Sequence, residues 1–275
     1  MGRKLIPNPI GLLGGILLLV LGILAVGAEQ WAPYDPKALL GQPFEAPSGR
    51  HWLGTNDLGQ DLFSEILLGT RLSLGVGLSA ASLATSMGLG VGLLSGYFRG
   101  WVDGLLMRLV DMVLVIPFLP LIILLAAYLG QDVGNLVVVM GLLMWARPAR
   151  VIRAQVLSLG QKGYVEASRL LGAGDWHILR HHLLPGILPL ALAQFVTVAS
   201  QSILLEVTLS FLGLGDPTQN SWGSILYYAQ SRNAFLAGVW VWWVLPPGLM
   251  IAWTVLGFSL LGFALEEIGN PRLRL

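Results

Sequence analysis

Few residues in this chain can do chemistry, so each is informative. Between positions 182 and 215, Glu206 is the single Asp, Glu, Lys or Arg. A carboxylate in so apolar a stretch is costly inside a membrane and faces a partner group or a wet cavity. Glu206 therefore either lines a hydrated path or is solvated or bonded between helices near an interface. His177, His181 and His182 stand at spacings that let two imidazoles share a metal ion. No cysteine accompanies them and no third ligand is obvious, so ordinary surface histidines are the simpler reading. Asp216, in Gly213-Leu-Gly-Asp, and Asp35, in Tyr34-Asp, could hold one proton between them if a fold buried them together. Against that, Pro33 and Pro36 bracket Tyr34-Asp35 and Pro217 follows Asp216, which is turn chemistry. The lysines stand at 4, 37 and 162, and none follows Gly-x-x-x-x-Gly, so there is no phosphate-cradling loop. The absence of cysteine excludes disulfides, Cys-ligated zinc and iron–sulfur clusters.

The densest polar chemistry lies at 147–185. Its centre reads Tyr164-Val-Glu166-Ala167-Ser168-Arg-Leu-Leu171-Gly172-Ala173-Gly174. Residues 166–171 are strong helix formers, and Gly172 can end a helix by adopting positive φ. Ala167, Ser168, Ala173 and Gly174 leave a low-profile surface suited to docking into a groove on another protein. Leu170 and Leu171 offer apolar contact, and Glu166 and Arg169 offer directional polar contact. Asp175 can cap a following helix over 176–184. Two short helices on one loop are hard to explain in a protein that acts alone.

The elements that must carry these groups are apolar. Of 275 residues, 55% are hydrophobic and 11% charged, against roughly 25% charged in a soluble domain. Glycine contributes 35 residues, nearly twice the usual share of ~7%. With a net charge of +1, these ratios exclude a disordered chain, a nucleic-acid binder and an ordinary soluble enzyme. Stretches free of Asp, Glu, Lys and Arg cover 5–28, 72–98, 112–131, 133–146, 182–205 and 233–265. Crossing ~30 Å of hydrocarbon takes roughly 20 helical residues. Five stretches are long enough, and the fourth must extend past Arg147, whose side chain can snorkel. The expectation is an all-α membrane protein with six transmembrane helices. The first span, preceded by Arg3 and Lys4, exceeds the ~7–15-residue core of a signal peptide and is expected to be an uncleaved anchor.

Six spans put both termini on one side. Placing the termini in the cytoplasm leaves Lys37, Arg50, Arg71 and Arg232 outside and the other 12 of 16 basic residues inside, as the positive-inside rule requires. Residues 29–70 then form an outer loop, 147–185 a cytoplasmic loop and 210–240 a second outer loop. Thr55-Asn56-Asp57 offers cap chemistry for an amphipathic helix over 58–70. Pro117 and Pro120 should kink the third span. Glycines at 75, 77, 88, 90, 92 and 96 should let neighbours approach the second span closely. Arg99 with Asp103, and Arg108 with Asp111, are helical neighbours at the cytoplasmic entry. Trp240, Trp242 and Trp243 suit either an aromatic belt or core packing.

The series Glu166-Ala167-Ser168, then Gly172, then Leu184-Pro185 resembles the EAA loop of ABC importer permeases. That pattern reads Glu-Ala-Ala, Gly, then Ile-x-Leu-Pro. Ser168 stands in the third-alanine place and His182 in the isoleucine place. Leu53-Gly-Thr-Asn-Asp-Leu-Gly-Gln-Asp61, Asp103 to Asp111, Leu205-Glu206 to Gly215, and Ser221-Trp222-Gly223 are similar to signatures of the dipeptide, oligopeptide and nickel permease group. Asn270-Pro271-Arg272-Leu273-Arg274 is similar to its Asp-Pro-Arg-Leu-Arg ending. The order and the short outer loop resemble the second permease subunit of such systems.

The resemblance implies a type I ABC importer permease fold, as a single transmembrane domain over 1–275 in a prokaryotic cytoplasmic (inner) membrane. It implies a half-pore completed by a second permease subunit, two ATP-binding subunits and an extracytoplasmic solute-binding protein. Lipid surrounds such a subunit, no nucleic acid or cofactor is involved, and ATP hydrolysis resides in the partners. Tyr164, Glu166, Ala167, Ser168, Leu171, Gly172, Ala173, Leu184 and Pro185 are implied to meet the ATPase, with Glu206 a candidate for the translocation path. The implied cargo is a di- or oligopeptide, with nickel or another small solute as the alternative. Two rivals remain. Gly213-Leu-Gly-Asp216 also resembles the Gly-x-Gly-Asp of intramembrane aspartyl proteases. An independent secondary transporter would be expected to show internal repeats and more midplane charges, which the sequence lacks.

Overall fold

A computed structural model describes residues 9–269. Arg3, Lys4 and the 270–274 ending lie outside the described residues. Among the described residues the chain is helical, with an isolated bridge between Thr55 and Asp61 and no strand. Five helical stretches are long and apolar enough to cross a membrane. They are α1 (Pro9–Trp31), α2 (Leu62–Phe98), Val133–Leu159, Asp175–Phe211 and Trp240–Leu265. A bent pair, α3 (Gly100–Val115) and α4 (Phe118–Leu129), supplies the sixth.

The bend in that pair is 84°, and the prolines account for it. Ile116 precedes Pro117 and is extended at φ −69°, ψ 132°, because the proline ring disfavours the helical region there. Pro120 falls in the first turn of α4, where a missing N–H costs no helical bond. The fourth span does run past Arg147, as α5 (Val133–Met144) continued by α6 (Ala146–Leu159).

The fifth span begins earlier than the charge-free stretch suggests. After α7 (Gly163–Leu170), α8 (Asp175–Ile178) runs through a π turn (Leu179–Leu183) into α9 (Leu184–Phe211). The cytoplasmic loop therefore carries one free short helix, α7, and the expected second is the root of a span. Gly174, not Asp175, occupies the cap position. Asp175 instead accepts a 2.6 Å hydrogen bond from the Tyr97 hydroxyl.

Helix α2 is the centre of the molecule, packed against α1, α5, α6 and α9. Gly88, Gly92 and Gly96, spaced by four, face α6. A Cβ added at each would come within 2.7 Å of Pro148, the Ala149 carbonyl or Val156 respectively. Gly77 faces Ile203 of α9 in the same way. Gly75 and Gly90 face open space, so they do not bring helices together as expected. The acidic residues of α3 also differ from expectation. Asp103 receives a two-pronged bond from Arg153 of α6 (2.6 and 2.5 Å), and Asp111 is bonded by Arg150 of α6. Their partners lie across a helix interface rather than one turn away.

The outer loop is tied down by its own polar residues. Asp61, not Thr55-Asn56-Asp57, caps α2: its Oδ2 accepts the Ser64 N–H (2.9 Å) and hydroxyl (2.7 Å). His51 Nδ1 stands 2.9 Å from its Oδ1. Thr55 Oγ1 donates to the Gln42 carbonyl, and Asn56 Oδ1 accepts the N–H groups of Leu58 and Gln60. Residues 62–70 are the first turns of α2 and are mostly buried, not a separate amphipathic helix. The tryptophans divide their roles: Trp243, in α11 (Trp240–Trp243), is core, while Trp240 is exposed. Two more helices, α10 (Trp222–Ser231) and α12 (Leu245–Gly269), complete the chain, with α12 against α1 and α9.

Candidate functional site: a membrane groove and a docking helix

A cavity of about 580 Å³ lies between the α3–α4 bend, the α5–α6 junction and α9. Its walls are largely apolar, with Leu114, Phe118 and Met144 among them, and Arg147 stands at its edge. From α9 it receives Gln194, Thr197, Gln201 and Thr208. Steps of three, four and seven residues place these on one helix face. The two threonine hydroxyls return bonds to the Ala193 and Leu204 carbonyls, at 3.0 and 2.7 Å. The Gln194 and Gln201 side chains make no hydrogen bond among the described residues. An amide left so at membrane depth is costly unless water or a polar occupant reaches it. The sequence reading missed this stripe, although its signal was present as Gln and Thr at helical spacing in an otherwise apolar span.

Glu206 does not join that stripe. It is buried on another face of α9, between α2 and α10. Its Oε1 accepts the Ser210 hydroxyl at 2.8 Å, and Ser73 of α2 and Ser221 at the head of α10 stand beside it. That is the interhelical placement rather than a groove lining.

The two aspartates of the protease-like motifs are each bonded by residues two or three positions on in the chain. Asp35 accepts the Lys37 N–H. Burial pushes the Asp216 carboxyl up, but bonds from the Thr218 hydroxyl and N–H, from Gln219, and the charge of Lys37 outweigh it. Asp216 is thus held below the usual carboxylate range, the opposite of a proton-holding partner.

Helix α7 is attached by few contacts. Val165 is its buried residue and belongs to an apolar cluster with Ile152, Val156, Leu159, Leu183 and Ile187. Arg169 lies over the Tyr97 ring, 5.2 Å from its centre. Gly172 ends the helix at φ +82°, as expected. Glu166, Ala167, Leu171 and Pro185 are exposed, Ala173 and Leu184 half-buried. Leu170 (85%), Leu171 (88%) and Trp176 (73%) are nearly bare, beside the half-exposed Tyr164. This is the end that the basic residues assign to the cytoplasm, so water rather than lipid would meet these apolar groups. Trp176 belongs to that patch and was read from sequence only as the start of a helix. The His177 and His181 rings stack at 4.4 Å rather than converging their nitrogens.

Residues 88–275 match the family described as "Binding-protein-dependent transport system inner membrane component". Over 275 residues the chain is 36% identical to the glutathione transport system permease protein GsiD of Pectobacterium atrosepticum, covering 99% of this chain and 90% of that protein. It is 35% identical, at the same coverage, to a Brucella suis protein named as a peptide permease. To GsiD of Escherichia coli it is 33% identical over 262 residues, 94% of this chain and 85% of that one.

Proposed function

The chain belongs to the binding-protein-dependent transport system inner membrane component family, and from that premise we propose that it forms half of the membrane pore of an ATP-driven peptide importer. It is a multi-pass protein of the cytoplasmic membrane and a transport permease. A second permease subunit would complete the pore, two ATP-hydrolysing subunits would dock on the cytoplasmic side, and a binding protein would deliver cargo outside. The observation that carries this reading is the bare patch of Leu170, Leu171 and Trp176 around α7. An apolar surface in water marks a place for a partner, and an ATP-driven importer whose permease has no phosphate-cradling loop would draw on a separate ATPase subunit.

Docking at that patch would seat Tyr164, Glu166, Ala167, Ser168, Leu171, Gly172 and Ala173 against the ATPase, with Leu184 and Pro185 at the foot of α9. The groove along α9, open on one side, would face the second permease subunit and pass cargo along Gln194, Thr197 and Gln201. Peptide cargo is supported by the names of the relatives, glutathione among them. The test is reconstitution of the whole complex in vesicles with its binding protein. Short peptides, including glutathione, are expected to stimulate ATP hydrolysis and to accumulate inside. Stimulation by nickel ion and by no peptide would overturn the cargo assignment. An unstimulated complex in which Leu171→Asp leaves ATPase binding intact would overturn the docking assignment.

A further inference from the structure

The two positions where this chain departs from the EAA pattern are bonded to each other. Ser168 Oγ on α7 and His182 Nε2 in the π turn stand 3.0 Å apart, although 14 residues separate them. The Tyr164 and His177 rings flank His182, at 5.9 and 5.7 Å between centres. The Ser168 hydroxyl also lies 2.9 Å from the Tyr164 carbonyl, which it reaches as a donor. With its one proton turned there, Ser168 accepts from His182 Nε2–H; with the proton turned to Nε2, His182 is the acceptor.

Its position gives the bond a mechanical meaning. The covalent link from α7 to α8 is the short turn ending at Gly174, with Gly172 in a glycine conformation. The buried Val165 and the Arg169–Tyr97 contact also hold α7 to the body of the protein. The Ser168–His182 bond is directional, and it ends in a π turn, an irregularity of the helix ladder frequent at functional sites. Beyond that turn runs α9, with the groove residues on its face.

We propose that Ser168 and His182 are a positioning pair that fixes α7 to the root of α9. Displacement of α7 by the ATPase then moves α9 and the groove instead of being absorbed in the turn at 171–174. This rests on the import reading above.

The test has two arms, both on the assembled complex. In the first, amide hydrogen exchange over 163–170 is followed without cargo. Ser168→Ala and His182→Ile are each expected to speed exchange about three- to tenfold, the scale of one lost hydrogen bond. The double variant Ser168→Ala/His182→Ile is expected to speed exchange no more than either single variant, because all three lack the same bond. His182→Gln keeps an N–H near the Nε2 place and is expected to behave as wild type. In the second arm, cargo taken up per ATP hydrolysed follows the same order.

Unchanged exchange in both single variants overturns the pair, as does simple additivity in the double. Altered exchange with unaltered uptake per ATP, in a complex that transports, overturns the positioning role. Because the first arm needs no cargo, a wild-type complex that fails to move peptides overturns the import reading while the pair is still decided.

Discussion

Replacing Gly172 separates conformation from bulk at the end of the docking helix. Gly172 sits at φ +82°, and a Cβ added there meets nothing within 4 Å. A side chain therefore strikes no neighbour within this chain, and its cost is the left-handed backbone, about 1–2 kcal/mol for an L-residue. That lowers the population of the native turn roughly 5- to 30-fold. Two 3.0 Å bonds close the turn, Gly172 N–H to the Arg169 carbonyl and Ala173 N–H to the Ser168 carbonyl. The chain relieves the strain most cheaply by breaking them and swinging α7, without unfolding a span. Gly172→Ala, Gly172→Asn and Gly172→Leu are compared in the reconstituted complex by cargo-stimulated ATP hydrolysis and uptake. Ala and Leu are expected to lose uptake per ATP alike, Asn less because it tolerates this region, all with normal membrane insertion. Wild-type coupling in Gly172→Ala beside an inactive Gly172→Leu would mean that bulk decides, and would refute the reasoning.

Other perturbations read other parts of the molecule. Gly92→Leu drives a side chain against the Ala149 carbonyl of α6, so the melting temperature in detergent should fall by the equivalent of about 1–3 kcal/mol. Gly90→Ala, facing open space, should leave the melting temperature unchanged. Asp103→Asn removes the charge from the two-pronged bond to Arg153 and should cost about 1–3 kcal/mol in the same melt, whereas Arg108→Ala should stay within about 0.5 kcal/mol. Gln201→Leu should reduce peptide uptake several-fold at unchanged melting temperature, and unchanged uptake would count against the groove. Glu206→Gln keeps an acceptor for Ser210, so cargo preference should hold, and an altered preference in uptake competition would place Glu206 on the path.

How far the sequence could be read follows from what each signal measures. Charge-free length measures the thickness of hydrocarbon, so the spans were legible, including the one that had to pass Arg147. Proline geometry is local, so the break at Ile116–Pro117 was legible too. The partners of Asp103 and Asp111 were not, because periodicity reports neighbours on one helix and says nothing of Arg153 and Arg150 on another. For the same reason the six glycines between 75 and 96 looked equivalent until α6 and α9 were placed: Gly88, Gly92 and Gly96 touch a neighbour and Gly90 does not. The cap of α2 was read four residues early because Asp57 and Asp61 carry the same carboxylate, and the loop fold decides which one caps. Glu206 drew attention by its charge, yet the groove is lined by uncharged Gln194 and Gln201, whose cost at membrane depth shows only once they are seen without partners. The stop at Gly172 was legible because it depends on nearby residues alone, whereas the second short helix was not, because only the fold shows it running on into α9.

The π turn at Leu179–Leu183 has a consequence for the groove. A π turn holds about one residue more than an α turn, so the helix beyond it is offset by about 100° of rotation and ~1.5 Å of rise. The side of α9 that looks at the α3–α4 bend is therefore set at the cytoplasmic end. Forcing the same residues into a plain α ladder would swing Gln194, Thr197 and Gln201 about 100° from the cavity, whereas deleting one residue at the bulge would restore the ladder and keep their facing. The bulge acts as a phase adjuster, reconciling the docking end with a membrane end whose facing is dictated by the cavity.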